Sequence, residues 1–419
     1  MTRTRVTGGL ALALLASGGC SSGNDNTNPS NGVSLSFTPC TRQDFWPVVM
    51  LALQDGSGPW TVRTASGGTF SATVQSSKIG ILVVTAPTTG SGSEVDVIYA
   101  TTAEAQNYLT SLQCGSPLLT GNITVNNLAA GEEANVGLGW NSSAAIGPGD
   151  KTFTTQAPAA TADLLGALSN ANTGVVSKLI LRRAVTVSAV APVDFTTAEA
   201  FAPVTPTLSI TGAGSNPALF IEWYLTGGIF RNEIAFINSS LTPPASYYGM
   251  PAAKQAASDL HDLYTSITPP ASGGVQPFSL VEAWWHDPAA RTLKFEPLPA
   301  TPTITTRAVL PYPQLRAQWQ EPSGHKYFQM HYYNSSNSDV EATITATAAY
   351  LGSTAVDISF PDVSTLAGWH NNWMPVAGVA TTWGFNDYTW TGGSQGVLSN
   401  VPSDGLVTQL NSWRGSITP

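Results

Sequence analysis

Trp46-Pro47-Val48-Val49-Met50-Leu51-Ala52-Leu53-Gln54-Asp55-Gly56-Ser57-Gly58-Pro59-Trp60-Thr61-Val62 is the stretch that decides the fold class. Trp46 to Leu53 is a nearly continuous apolar run of strand length, suited to a central strand covered on both faces. Gln54 to Pro59 then concentrates turn formers, and Trp60-Thr61-Val62 resumes as a strand partner. The same grammar recurs on either side. Val33, Leu35 and Phe37 alternate with polar residues, and Phe70–Val74, Gly80–Thr85 and Glu94–Tyr99 are three further strand candidates. Thr101-Thr102-Ala103-Glu104 is a capping-box pattern, and Ala105, Tyr108, Leu109 and Leu112 continue it on one face of a short helix.

Composition agrees with this local reading. Charged residues make up only 10% of the 419, so Ser, Thr, Asn and Gln must form much of the polar surface. Those residues, with 39 Gly and 29 Pro, favour strands and tight turns. The expected fold is all-β, built of tandem β-sandwich modules with one or two short helices. A chain of this length exceeds one core. The predicted divisions are a β-sandwich module at 33–115, a second at 116–205, a β domain at 206–302 with a covering helix near 251–267, and an aromatic-rich C-terminal β-sandwich domain at 303–419. The helix expectation rests on Ala253, Ala256, Ala257, Leu260, Leu263, Tyr264 and Ile267, spaced by threes and fours between Pro251 and Pro269-Pro270. In the second module Leu179, Leu181, Val185 and Val187 change register around Arg182-Arg183, which predicts a bulge. Phe278–Trp285 reads as a strand, with Leu293-Lys294-Phe295 as its hairpin partner.

The first 32 residues differ in kind. Arg3 and Arg5 precede an apolar run from Leu10 to Leu15, then Ala16-Ser17-Gly18-Gly19-Cys20, the layout of an export signal too short to span a bilayer. Residues 20–32 are Ser, Gly, Asn, Asp and Pro rich, the composition of a flexible tether. These residues resemble a bacterial lipoprotein precursor, in which the cysteine after the small residues is lipidated. The resemblance implies a signal peptide at 1–19, lipidation at Cys20, a membrane partner through that lipid and, since Ser21 follows the cysteine, outer-membrane localisation in the cell envelope. Ser17 stands where the family prefers Leu, and an ordinary secretory signal is the alternative. The order of pieces in 116–205, with Asp163-Leu164-Leu165, is similar to transthyretin-like or carboxypeptidase-regulatory-like sandwich modules, and the whole chain resembles tethered Ig-like β-module lipoproteins of Gram-negative bacteria. No activity comes with that resemblance.

If Cys20 carries lipid, Cys40 and Cys114 remain as an even pair in an oxidising compartment, and a disulfide between them is expected, with two buried thiols as the alternative. In the chain-entropy account such a long loop is worth about 4 kcal/mol. The net charge is −9, which offers nothing to nucleic acid. No cysteine or histidine spacing signals a metal, and no cofactor is signalled.

Three candidate sites emerge. Gly392-Gly393-Ser394-Gln395-Gly396 has the letters of a nucleophile elbow, but no histidine follows His370, so a Gly-rich turn is the better reading. Glu282 and His286 share a face of a strand and could act as an acid/base pair in a surface hydrolase, although alternation also brings unlike residues together by chance and His286-Asp287-Pro288 reads better as a turn entry. The C-terminal section holds half of the 12 Trp residues. There Trp369, His370, Asn372, Trp373, Trp383, Tyr388 and Trp390 combine rings that stack on sugar faces with groups that bond hydroxyls, so they are the candidate surface for glycan or a cell-surface protein. Core packing is the competing explanation for those rings.

Overall fold

In the computed structural model, residues 32–38, 46–87, 92–111, 119–139, 141–142, 146–157, 160–214, 218–227, 230–238, 245–320, 324–393, 397–398 and 402–419 are described. The fold is all-β with two short helices, Thr102–Ser111 and Ala348–Leu351. Cys20, Cys40, Cys114 and the signal and tether lie outside the described residues.

The opening stretch folds as read. Val48–Asp55 pairs antiparallel with Trp60–Arg63. Gly56 takes a φ of 58°, and Gln54 Nε2 donates to the Gly58 carbonyl at 2.9 Å. The Asp55 carboxylate accepts the backbone N–H groups of Gln75 and Ser76, each at 2.8 Å, tying this turn to the next. The capping box also forms. The Thr101 N–H donates to Glu104 Oε2 at 2.9 Å, and the Glu104 N–H returns to Thr101 Oγ1 at 3.4 Å.

These strands belong to a twelve-stranded sheet. Its order is Phe230–Asn238, Ala218–Thr226, Leu260–Ile267, Gln276–Trp285, Leu406–Ile417, Thr381–Thr391, His325–Asn334, Asn337–Thr347, Ser93–Thr101, Lys78–Thr85, Val48–Asp55 and Trp60–Arg63. Three of the four sections of the chain therefore contribute to one sheet. All neighbours run antiparallel except Asn337–Thr347 beside Ser93–Thr101, which are parallel.

Alternation gives the sheet two faces. On the core face, Met50, Leu82, Val97, Ile344, Phe328 and Phe385 pack beneath a three-stranded layer of Thr303–Ala308, Gln314–Gln320 and Ala355–Ser359, which supplies Leu315, Trp319 and Ile358. Further along the same face, Phe220, Leu263 and Val281 pack under Leu208, Leu293 and Phe295. The opposite face is covered at one end, where Leu35, Phe70, Ala105 and Leu109 sit on Leu51, Ile81 and Ile98, and towards the other end Leu225, Leu260, Trp284 and Leu406 form a buried cluster on it.

Residues 119–195 form a two-sheet sandwich, with Ile123 and Val125 on one side and Val136, Leu164 and Ile180 on the other. The predicted bulge is present. The register shifts between Ala162 and Leu164, and Ala184 adopts a φ of 49° while its N–H donates to Asp163 Oδ1 at 2.8 Å.

Two expectations are corrected. No helix covers 251–267. A single 3-10 turn spans Ala252–Lys254, and Leu260–Ile267 is a strand paired on both sides. A strand buried on both faces carries apolar residues at either parity, and Leu260, Leu263 and Ile267 imitate helical spacing by that route. Likewise Arg291–Lys294 pairs in parallel with Thr207–Thr211 in the layer above, and is not the hairpin partner of Gln276–Trp285.

Asp259 joins the sandwich to the sheet. Its carboxylate accepts from both Nη atoms of Arg183, from the Tyr224 hydroxyl at 2.7 Å, and from the N–H groups of Gly227 and Ala256 at 3.0 and 2.9 Å. Burial pushes its carboxyl upward, but the Arg183 pair and the other donors outweigh burial and hold it below the usual range. Asp259→Ala leaves these donors unsatisfied and should cost about 3 kcal/mol in chemical denaturation. A loss under ~0.5 kcal/mol, within the range of an ordinary surface substitution, would remove Asp259 from this role.

Candidate functional site

The strand Thr381–Thr391 divides the aromatic residues singled out in the sequence. Trp383, Phe385 and Asp387 point to the core face, while Asn386, Tyr388 and Trp390 point to the opposite one. Trp383 is 5% exposed and lies over Gly415, where a Cβ would come within 2.4 Å of the indole.

Trp369, His370, Asn372 and Trp373 sit beside the other end of this strand. Trp390 lies seven positions after Trp383, about 24 Å of extended chain. Trp369 is 9% exposed, stands edge-on to Trp373 at 5.5 Å, and donates from Nε1 to Asn371 Oδ1 at 2.9 Å. The His370 ring lies against Trp373 at 4.8 Å, and the Trp373 carbonyl accepts from Ser93 Oγ at 2.8 Å. His370 and Asn372 are exposed, but the rings beside them close the core. The seven candidates thus fall into a core-closing group and a second group, Tyr388 and Trp390, on the open face.

That second group gains two residues the sequence did not connect with it. Tyr327 stacks on Tyr388 with centroids 4.2 Å apart and planes 16° from parallel, and Trp390 meets Tyr327 edge-on at 6.2 Å. A register shift between His325 and Tyr327 makes Lys326 the bulged residue, and its Nζ stands 5.6 Å from the Trp390 ring centre. The three rings are half-buried. The next row across the strands is polar. Asn386 Nδ2 donates to Gln329 Oε1 at 3.2 Å, and Gln329 Nε2 reaches Thr345 Oγ1 at 3.5 Å. In the row beyond, the His331 ring lies over Gly384, where a Cβ would come within 2.3 Å of it.

Burial keeps the phenols and the imidazole of this surface uncharged. It pushes the Tyr388 phenol up to about 12 and Tyr327 well above its usual value. Burial, followed by the charge of Arg414, brings His331 down to about 4. The arrangement sets flat half-buried ring faces beside the half-buried Gln329 amide, with Asn386 and Thr345 buried on either side of it.

On the core face beneath, His325 Nδ1 pairs with Asp387 Oδ1, both almost fully buried. Asn411 Nδ2 donates to Asp387 Oδ2 at 3.2 Å, and Ser279 Oγ donates to Asn411 Oδ1 at 3.0 Å. This chain of polar side chains crosses four strands. Burial pushes the Asp387 carboxyl up although His325 opposes it.

The expected acid/base pair is employed separately. Glu282 lies between Tyr264 and Thr408 in the ladder. His286 follows the end of the strand, with Nδ1 2.9 Å from the Asp259 carbonyl and its N–H on Asp404 Oδ1 at 2.9 Å. Of the elbow letters, Gly392 and Gly393 adopt φ of 65° and 53° in the turn after Thr391, and Ser394, Gln395 and Gly396 lie outside the described residues. Among the described residues, no cluster of three or more His, Cys, Asp or Glu could hold a metal ion, and no helix is long and apolar enough to cross a membrane. No protein-family model matches the chain, and no curated protein matches it.

His331 and His261 both have folded-state values near 4 against 6.5 when unperturbed, burial being the main cause in each. Above pH 6.5 neither state binds the proton and this stability is fully present. As pH falls from 6.5 to 4 the unfolded chain takes up protons the native state refuses, so stability is lost across that window. His331→Gln should flatten the loss in denaturant midpoints measured from pH 7 to 4. An unchanged pH profile would contradict the burial of this ring.

Proposed function

We propose that this chain is a lipid-anchored cell-envelope protein that binds glycan through the open face of its long sheet, with Tyr327, Tyr388 and Trp390 as the stacking surface. The observation that carries the reading is the half-buried Tyr327–Tyr388 stack, edged by Trp390 and bordered by the Asn386–Gln329–Thr345 row. Sugar C–H groups pack on such rings, and amides and hydroxyls bond sugar hydroxyls. The Trp369 group is assigned to packing. The test is a glycan array probed with detergent-purified full-length protein. Tyr388→Ala with Trp390→Ala should weaken capture about tenfold or more in protein that still unfolds cooperatively. Capture of no glycan by the wild type, or equal capture by the variant, would overturn the reading.

Arg3, Arg5, the Leu10–Leu15 run and Cys20 support the anchoring part of this reading, an envelope protein with its β domains outside the bilayer. The Cys40–Cys114 disulfide gains support from its neighbours. Val33–Phe37 packs against Thr102–Ser111 through Leu35, Ala105 and Leu109, and Gln106 Nε2 donates to the Ser36 carbonyl at 3.3 Å. Each cysteine follows one of these elements by three residues. Intact and non-reduced peptide mass spectrometry should find a lipidated Cys20 at the N-terminus and a Cys40–Cys114 cross-linked peptide. An unprocessed Met1, or Cys20 bridged to another cysteine, would contradict both assignments.

A further inference from the structure

The half-buried surface continues beyond the Tyr327–Tyr388–Trp390 group, bordering the buried cluster of Leu225, Leu260, Trp284 and Leu406, against which Trp223 and Trp390 rest one edge. Strand register aligns Tyr264 with Glu282, Glu282 with Thr408, and Thr408 with Trp390, one row across four neighbouring strands. Their side chains alternate away from Leu263, Val281 and Phe385 of the core face, and all four are half-buried. At the far end Tyr264 meets Trp223 edge-on at 5.6 Å and 82°, a second aromatic pair. Three strand spacings separate Tyr264 from Trp390, about 14 Å. The floor between the two ring groups carries a carboxylate and a hydroxyl, both able to accept from sugar hydroxyls.

We propose that Trp223 and Tyr264 form a second glycan subsite, so that the ligand is an unbranched neutral oligosaccharide lying across the strands from the Trp223–Tyr264 pair to Trp390 and Tyr327. One pyranose is about as long as one strand spacing of ~4.8 Å, so a chain of four units reaches from one ring group to the other. A shorter sugar occupies only one group, the three-ring one of Tyr327, Tyr388 and Trp390. This inference rests on the glycan reading and adds direction, length and a second contact to it.

The test measures affinities of the full-length protein for unbranched cello- and chito-oligosaccharides of increasing length. Affinity should rise up to the tetrasaccharide and then level off. Trp223→Ala should lower tetrasaccharide affinity about tenfold and leave disaccharide affinity unchanged, the latter also showing that the variant is folded. If that variant fails to fold, Glu282→Gln, a change on the floor of the row, should likewise weaken the tetrasaccharide and spare the disaccharide. Affinity already level at the disaccharide, or tetrasaccharide affinity unchanged in the folded variant, would overturn the second subsite while sparing the first. Binding of no oligosaccharide by the wild type would overturn the second subsite, and blank glycan capture as well would carry the glycan reading with it.

Discussion

The rest of the structure depends on the parallel pairing of Val340–Ala346 with Ser93–Tyr99. Every other contact between neighbouring strands of the long sheet is antiparallel, and most join nearby stretches of chain. This one closes a loop of well over two hundred residues, and its entropic cost must be met before the contacts it permits can form. Both ends of the seam are clamped by side chains. Ser93 Oγ donates to the Trp373 carbonyl at one end, and Thr347 Oγ1 donates to the capping-box carboxylate of Glu104 at the other. Residues that look like a ligand platform (Trp369 and Trp373) therefore help hold the seam, and a helix cap doubles as its second clamp.

With the seam in place, each central strand has a committed core face and an opposite face that is only partly covered. The core face accepts the apolar bulk of Trp319, Phe328, Phe385 and Trp413, with rings 5.5 to 6.2 Å apart in tilted or edge-on contacts and, between Phe328 and Phe385, a stacked one. It also contains the Ser279–Asn411–Asp387–His325 chain, which is tolerable in a dry interior because its members bond one another. That chain lies under the bulge at Lys326, where the strand turns His325 inward and Tyr327 outward. The open face inherits its ring positions from this arrangement.

Features set by nearby residues were legible in the sequence. The turn at Asp55–Pro59 and the cap at Thr101–Glu104 depend on neighbours a few positions away, and each formed; the bulge at Arg182–Arg183 showed in its own change of alternation, although Asp163 on the paired strand holds it. Features set by distant partners were not. Leu260–Ile267 read as a helix because nothing in its own residues reveals a strand on either side, and Arg291–Lys294 found its partner in another layer. The candidate site shows the same division. Alternation along Thr381–Thr391 could separate Trp383 from Tyr388 and Trp390, but Tyr327 joins them only through a ladder between strands more than fifty residues apart. The polar chain beneath was hidden for the same reason, although His325 and Asp387 both stand in strand patterns.

Native-state hydrogen exchange across the seam tests the account most directly. If one sheet unites these sections, amides of Ser93–Thr101 and Asn337–Thr347 exchange through a common opening, with the same free energy and the same denaturant dependence. If Ser93–Thr101 instead opens together with Lys78–Thr85 and Val48–Asp55 at a clearly lower free energy than Asn337–Thr347, the first section is an independent unit and the seam does not organise the molecule.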